Sequence, residues 1–163
     1  METMSSIQFQ SVDTLPEFYK VFKIIEKIGN FYPDFRNWYF DKVIPGVLLN
    51  QDEIFIAKKK DVILGACIIK NSDEKKLRCI RVSEEFQNKG YGLYIIDEAL
   101  KRLNVDKPNL SVPEELMNDY SRIFVNRYQF NLDKVHKNLY RKNKLEYEFN
   151  GKTLLKDNIN YGI

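Results

Sequence analysis

The feature that most constrains this chain is a glycine-rich turn at residues 87–92, which lies between a strand-like run (77–82) and a helix-like run (93–103). A turn that opens a helix presents backbone N–H groups without helical partners at the positive end of the helix dipole. Gly90 and Gly92 lack a Cβ atom, so the backbone can adopt positive φ and a ligand can approach closely. Lys89 adds a positive charge. The turn therefore predicts a binding site for phosphate groups.

Two common nucleotide-binding loops do not fit these residues. A Rossmann fingerprint requires a third glycine where this chain has Ile95, together with an acidic residue at the end of a second parallel strand. A Walker loop requires Gly-Lys followed by Ser or Thr, and that triplet does not occur. The remaining pattern, Gln-x-x-Gly-x-Gly between a strand and a helix, strongly resembles the acetyl-CoA loop of the GNAT N-acetyltransferase superfamily. Gln87 stands where arginine is commoner.

This resemblance implies a fold, a cosubstrate and a set of binding residues. The fold would be α+β, an α/β/α sandwich with a mixed, mostly antiparallel central sheet flanked by helices. The cosubstrate would be acetyl-CoA, without a metal, and its pantetheine arm would pair with the backbone of the fourth strand at Ile80, Arg81 and Val82. Its pyrophosphate would accept hydrogen bonds from the N–H groups of Gln87, Asn88, Lys89, Gly90, Tyr91, Gly92 and Leu93.

Length and composition favour one globular domain over residues 1–163. The resemblance to the GNAT superfamily covers about residues 7–151, which would form its core. The formal charge of +3 comes from basic residues spread along the chain, which is too little to indicate nucleic acid. The N-terminus has no signal-like region, and no apolar run approaches the roughly 18 residues of a membrane helix, so we expect a cytoplasmic protein. Cys67 and Cys79 lie in strand-like runs and are expected to be buried thiols; with one histidine they provide no metal-ligand cluster.

The first third of the chain predicts a short strand followed by two helices. Residues 7–12 alternate as in a strand, and a helix over 16–28 begins with Thr14 as its cap and Glu17 at the capping-box position. An aromatic stretch over 31–40 follows; the second helix is expected to begin at Pro33-Asp34 and to be broken by Pro45-Gly46. By resemblance these rings would form a wall of the acceptor pocket, and ordinary core packing is the favoured alternative.

The remaining segments complete the expected sheet. Strands over 53–58, 61–70 and 77–82 predict an antiparallel meander, and the second of them is apolar on both faces and is expected to be central. The helix at 93–103 leads to a strand over 108–113 that we expect to be parallel to the strand at 77–82. A helix over 114–128 follows, and Phe130 then takes the place of the Gly-Phe pair of the GNAT family, with Gln129 instead of glycine. An alternating strand over 145–149 precedes a turn.

The sequence identifies no catalytic residue. Acetyl transfer to an amine requires removal of a proton from the amine and stabilisation of the leaving thiolate. The proton donor of the GNAT family is a tyrosine on the helix before Gly-Phe, but that place falls here at Phe124 or Val125, and neither can donate. For the other ionisable candidates a packed ring, a solvated carboxylate or a surface role is expected instead: Glu74, Glu114, Glu115, Tyr128, Tyr140 and His136.

Three functions are therefore compatible with the sequence. The favoured one is an acyl-CoA-dependent N-acyltransferase that transfers acetyl to a primary amine of a small molecule, a protein lysine or a protein N-terminus. The second is an acyl-CoA-binding regulatory module that is weakly active or inactive, which the missing tyrosine favours. The third is an interaction domain that uses the basic, aromatic segment 134–144 to bind nucleic acid or protein, although nucleic acid is the less expected partner. A second copy of the chain is a further candidate partner, and a membrane is not.

Overall fold

Residues 6–151 are described by a computed structural model, and the statements below concern this part of the chain. Four strands form an antiparallel sheet in the order β1-β2-β3-β4: β1 Gln8–Ser11, β2 Asp52–Lys59, β3 Val62–Asn71 and β4 Lys75–Val82. Strand β3 is buried along most of its length because helices cover both faces of the sheet. The predicted meander with a central apolar strand is confirmed.

A second sheet contains three strands in the order β5-β7-β6: β5 Leu110–Pro113, β6 Leu132–Lys137 and β7 Leu145–Phe149. Strand β6 was not predicted, because it is an edge strand with almost every side chain exposed and therefore lacks the alternation that marks a half-buried strand. It pairs antiparallel with β7, so much of the basic segment 134–144 belongs to a β-hairpin.

The two sheets meet at a single parallel bridge between Lys76 of β4 and Asn109. Leu77 N–H donates to the carbonyl of Asn109 (3.0 Å), and Asn109 N–H donates to the carbonyl of Lys75 (3.1 Å). Past this bridge β5 pairs with β7, and no further strand pairing joins β4 to β5 within residues 6–151. The expectation of a parallel β4-β5 pair is thus correct only at its start, and an opening follows between the two strands.

A β-bulge in β4 lies beside this opening. Ile68 of β3 pairs with Cys79 while Ile69 pairs with Leu77, so Arg78 is an extra residue. Arg78 forms a buried ion pair with Asp52, and its guanidinium lies 5.1 Å from the centre of the Trp38 ring. A bulge bends a strand and increases its local twist, which accounts for the divergence of β4 from β5.

The first helix, α1 (Leu15–Ile25), continues as a 3-10 turn over Glu26–Asn30. Thr14 precedes it as predicted, but its hydroxyl donates to the Glu17 carboxylate (2.7 Å) rather than capping a backbone N–H. The apolar face of α1 packs on the sheet through Phe18, Val21, Phe22 and Ile25. The amphipathic pattern therefore determines the position of the helix.

The prediction that Pro45-Gly46 breaks the second helix is wrong. Helix α2 (Phe35–Trp38) continues through a π-helical stretch, Tyr39–Val43, into α3 (Ile44–Leu48). The π turn widens the helix just before Pro45, where a regular hydrogen bond would require the N–H that proline lacks. Gly46 serves packing rather than helix termination, since a Cβ there would lie 1.9 Å from Asp52 Oδ2.

The second helical layer covers the opposite face of the sheet. It contains α4 (Tyr91–Leu103), a 3-10 turn at Glu114–Leu116, α5 (Met117–Ser121) and a π-helical extension over Arg122–Arg127. One core lies between α1–α3 and the sheet, and the other lies between the sheet and α4–α5. The predicted α+β sandwich is confirmed. Cys67 and Cys79 are buried free thiols, also as predicted.

None of the helices in residues 6–151 has the length and apolar character needed to traverse a bilayer.

Candidate active site

The glycine turn forms the N-terminus of α4. Gly90 is the residue before the first helical turn and has φ +86°, as predicted, and an added Cβ would meet nothing within 4 Å. Gly92 differs from the prediction, because it lies within α4 without positive φ, and a Cβ there would make only ordinary contact with Val82 Cγ2 at 3.7 Å. The left-handed positions are Asn88 (φ 64°) and Gly90. The turn therefore leaves its backbone open on the outer side of Gly90.

Side chains around the turn tie it to the end of β4. Gln87 Nε2 donates to the carbonyl of Val82 (2.9 Å), which places the predicted loop residues directly beside the predicted strand residues. The Lys89 ammonium lies 5.8 Å from the centre of the Phe86 ring. The first turn of α4 contains the backbone N–H groups of Tyr91, Gly92 and Leu93. The N–H of Leu93 donates to the carbonyl of Gly90 (3.2 Å). This arrangement suits an anion at the positive end of α4.

The three predicted residues of β4 divide between the two faces of the sheet. Ile80 and Val82 pack in the core below α4, whereas Arg81 contributes to a cavity of about 350 Å³ on the α1 side. Within residues 6–151 the buried Arg81 Nε has no hydrogen-bond acceptor. The cavity has a mixed-charge lining composed of Lys23, Ile24, Lys27, Arg81, Ser83, Glu84 and Glu85. Lys27 and Glu84 form an ion pair across it.

Neither residue at the expected proton-donor position lines this cavity. Phe124 is fully buried and stacks between Tyr120 and Phe130, with 5.5 Å between ring centres on each side. Val125 is 42% exposed. Phe130 follows Gln129, whose φ of 55° is left-handed, and Phe130 N–H donates to the carbonyl of Phe124 (2.7 Å). The glycine of the family pattern is thus replaced by a residue that adopts a glycine-like conformation.

Tyr120, one helical turn before Phe124, is the phenol that the sequence reasoning missed. Burial raises the pKa of its hydroxyl, and the nearby Arg81 guanidinium opposes that rise. Because Arg81 belongs to β4, its influence places the Tyr120 hydroxyl near the stretch of β4 beside the opening. The proton-donor position of the family falls at residues 124 and 125, and Tyr120 lies on the preceding turn of the same helical segment.

Glu146 of β7 is a second residue that was not anticipated. Its side chain is buried, and its Oε2 accepts hydrogen bonds from the hydroxyls of Tyr32 (2.6 Å) and Ser111 (3.0 Å). Burial raises its pKa to about 7, although both hydroxyls stabilise the charged form. The sequence signal was a strand with glutamates at 146 and 148 alternating with apolar residues, which normally indicates a solvated face.

The aromatic stretch at 31–40 serves mainly as core. Phe35, Trp38 and Tyr39 are buried among the residues that join α1–α3 to the sheet. Tyr32 is the exception, because its hydroxyl reaches Glu146 and its ring lies edge-on to Tyr140 with centres 5.3 Å apart.

The other ionisable candidates make structural contacts. Tyr128 donates to Asp97 Oδ1 (2.7 Å) and holds the end of the α5 layer to α4. Glu74 pairs with Lys76, and Glu115 forms a two-point contact with Arg141 (2.7 and 2.8 Å).

Lys144 pairs with both Glu114 and Glu115, so the basic hairpin is partly neutralised. His136 is not at the surface as expected: its Nε2 lies 3.0 Å from Oε1 of the fully buried Glu148. Among residues 6–151 no three His, Cys, Asp or Glu side chains gather as a metal site.

The sequence matches the profile of the Acetyltransferase (GNAT) family over residues 14–106, which is more than half of the 163-residue chain. The chain belongs to this family. No curated protein sequence matches it.

Solved structures show the same fold at low identity. A protein from Desulfovibrio desulfuricans, described as an acetyltransferase of the GNAT family, is 17% identical with a TM-score of 0.69, covering 88% of this chain and 96% of its own. A GNAT family acetyltransferase from Bacillus cereus is 22% identical with a TM-score of 0.64, covering 91% and 98%. A GNAT family acetyltransferase from Elizabethkingia anophelis with acetyl-CoA bound is 15% identical with a TM-score of 0.60, covering 88% and 96%.

Proposed function

We propose that this protein is an acetyl-CoA-dependent N-acyltransferase built as one domain and acting in the cytoplasm. The observation that carries the proposal is the turn before α4, where Gly90 has φ +86° and no side chain covers its outer side. A pyrophosphate can approach such a backbone and be held by the N–H groups of a helix N-terminus. The free thiols of Cys67 and Cys79 fit a reducing compartment.

The cosubstrate would be held by the residues that the family resemblance indicates. The loop residues Gln87, Asn88, Lys89, Gly90, Tyr91, Gly92 and Leu93 would bind the pyrophosphate, and the backbone of Ile80, Arg81 and Val82 would pair with the pantetheine arm. The opening between β4 and β5 supports this assignment, because it leaves that edge of β4 without a strand partner in the described residues. The crystallised relative from Elizabethkingia anophelis, which holds acetyl-CoA, supports the choice of cosubstrate.

Acetyl-CoA supplies an activated thioester, and the protein must position an amine and manage protons around it. We assign the proton donor for the leaving sulfur to Tyr120, whose partly buried side chain lies within the electrostatic influence of the Arg81 guanidinium on β4. This assignment removes the main argument for an inactive binding module, which was the missing tyrosine at residues 124 and 125. The acceptor would be a primary amine on a small molecule, a protein lysine or a protein N-terminus.

An interaction domain based on the basic hairpin is less well supported. Arg141 and Lys144 already pair with Glu114 and Glu115, so the hairpin offers less free positive charge than its sequence suggests. Nucleic-acid binding relies on cations that are available to phosphates.

The test is acetyl-CoA turnover, measured as free thiol release with spermidine, kanamycin and a lysine-containing tripeptide as acceptors. We expect at least one amine to raise thiol release well above the rate with water alone. A binding assay accompanies it: acetyl-CoA at a hundredfold excess over Kd should stabilise the protein by about 2.7 kcal/mol, while ATP and NAD should not. Binding without turnover would favour the regulatory module, and equal stabilisation by ATP would contradict the loop assignment.

A further inference from the structure

We propose that Glu146 is the residue that binds the ammonium group of the acceptor and takes its proton, so that the preferred substrates are cationic primary amines. This inference rests on the proposed N-acyltransferase function and adds the acceptor side of the site. No family pattern identified in the sequence points to β7.

The carboxylate of Glu146 is held in one orientation from two sides. The Tyr32 hydroxyl, in the connection between α1 and α2, and the Ser111 hydroxyl of β5 both donate to Oε2. Among residues 6–151 the hydrogen bonds to this carboxylate end on that oxygen, which leaves Oε1 for a ligand. A buried carboxylate that accepts only two neutral donors is under-compensated, because burial disfavours an unpaired charge.

Glu146 lies beside the opening between β4 and β5. Ser111 lies two residues past Asn109, where β5 leaves β4. Ser111 and Glu146 face the α1–α3 side of the sheet, the side on which Tyr32 and Tyr140 pack. Tyr120 belongs to the helical layer on the other side of the sheet. A cosubstrate that follows β4 would therefore have a carboxylate on one side and a phenol on the other.

Within residues 6–151 no basic side chain is hydrogen-bonded to Glu146. Arg141 lowers the pKa of Glu146 electrostatically, but its guanidinium is already bound at two points by Glu115. Burial raises the pKa of the Tyr32 phenol, which is therefore neutral, and His136, opposite Glu146 on β6, contacts Glu148 instead. An ammonium group on a substrate would complete the site. The pKa of Glu146, raised to about 7 by burial, suits a group that must accept a proton near neutral pH.

The acceptor enters as an ammonium ion, and Glu146 takes one proton to leave a neutral amine. The nitrogen lone pair attacks the carbonyl carbon of the thioester; the C–N bond forms, and the C–S bond breaks with its electron pair on sulfur. The thiolate takes a proton from Tyr120, the amide nitrogen loses its second proton to Tyr120, and Glu146 releases its proton to solvent. The net products are an amide, free CoA thiol and one proton.

Glu148 provides a matched control, because it is also buried and lies two residues along the same strand. Its oxygens are occupied by His136 (3.0 Å) and the Asn109 side chain (3.0 Å), so it joins strands rather than facing the opening. Glu148→Gln is expected to lower stability and to leave the pH profile of turnover unchanged.

The experiment is the pH profile of kcat/KM from pH 6 to pH 9 for wild type, Glu146→Gln and Glu148→Gln, with the amine that reacts fastest among spermidine, kanamycin and the tripeptide. The kcat/KM of the wild type should rise with pH and reach a plateau above about pH 7. The wild type uses the ammonium form of the acceptor, and this form predominates up to the amine pKa of about 10. The kcat/KM of Glu146→Gln should be lower than that of the wild type by about 10²-fold or more at pH 7.5. It should then increase tenfold per pH unit up to pH 9, because the variant depends on the neutral amine already present in solution.

A second readout does not depend on turnover. Calorimetric titration of the same amine into protein saturated with CoA, which cannot react, should show at least tenfold weaker amine binding in Glu146→Gln with CoA affinity unchanged. Tyr32→Phe should weaken amine binding less, because Glu146 is retained. A plateau in the Glu146→Gln profile together with wild-type amine affinity would overturn the inference alone. Absence of thiol release by wild type with every amine would overturn the proposed function on which it rests.

Discussion

The buried state of Glu146 predicts how stability changes with pH. The pKa of this carboxyl is raised from 4.5 to about 7, chiefly by burial. At about 1.4 kcal/mol per pKa unit, the difference corresponds to about 3 kcal/mol of free energy of unfolding. Between pH 4.5 and pH 7 the folded protein holds a proton that the unfolded chain has released. The free energy of unfolding therefore decreases as pH rises through this window, and the full cost is present at pH 8.

Glu146→Gln removes this cost. The glutamine oxygen can accept the same hydrogen bonds from Tyr32 and Ser111, and the side chain cannot ionise. We expect the variant to match wild type at pH 4.5 and to be more stable by up to about 3 kcal/mol at pH 8. Urea denaturation at several pH values measures this difference directly.

Glu115→Gln is the control with the opposite sign. Hydrogen bonding to Arg141 lowers the pKa of Glu115 to about 2. The Glu115–Arg141 pair therefore contributes to the free energy of unfolding at neutral pH, and this contribution is lost only as pH falls below 4.5 toward 2. This variant should lose stability at pH 8, by about 1 kcal/mol or less because the pair is screened by solvent. If Glu146→Gln were equal to or less stable than wild type at pH 8, Glu146 would not be a buried charge and the reasoning about its environment would be wrong.

Three further substitutions test individual contacts. Gln129→Gly should raise the free energy of unfolding by about 0.5–1 kcal/mol in urea denaturation, because relief of about 1–2 kcal/mol of left-handed strain outweighs the roughly 0.5–1 kcal/mol by which the extra chain entropy of glycine favours the unfolded state; a loss would contradict this. Tyr120→Phe should lower kcat by about 10²-fold or more with acetyl-CoA affinity retained, and an unchanged kcat would exclude it as the proton donor. Tyr128→Phe should cost about 1 kcal/mol through the lost bond to Asp97 and retain most activity, so a 10²-fold loss of kcat would show a catalytic role.

The fold was largely predictable because its signals are local and regular. The apolar runs of β2–β4, the amphipathic pattern of α1 and α4 and the glycine turn are each recognisable within a few residues of sequence. The Pro45-Gly46 break was wrong because a π-helical stretch accommodated the proline and the packing of Gly46 against Asp52 kept the helix in place. Neither compensation is visible in a local pattern. Strand β6 was missed because an exposed edge strand has little hydrophobic periodicity.

The candidate site could be predicted from the sequence only where backbone groups form it. The loop residues follow from glycine spacing, whereas Glu146 depends on Tyr32, 114 residues earlier in the chain, and on Ser111. A glutamate in an alternating strand is normally solvated, and only the folded chain shows that this one is enclosed by hydroxyls. Tyr120, the proposed proton donor, was not predicted for a related reason, since its position beside β4 depends on the packing of α5 rather than on its distance from Phe130 in the sequence.

The turn before α4 is proposed to hold the phosphates of acetyl-CoA, and the substitution Gly90→Asp tests this assignment. At φ +86° any side chain adds strain of roughly 1–2 kcal/mol, but the Cβ meets nothing within 4 Å, so the protein should still fold. Gly90→Asn is the matched control, because it has the same size and the same strain without the charge. Calorimetry should show acetyl-CoA affinity at least a hundredfold lower in Gly90→Asp, where like charges meet at close range, and within about tenfold of wild type in Gly90→Asn. Wild-type affinity in Gly90→Asp would mean that the phosphates do not lie on this turn, and would contradict the assignment of the cosubstrate site.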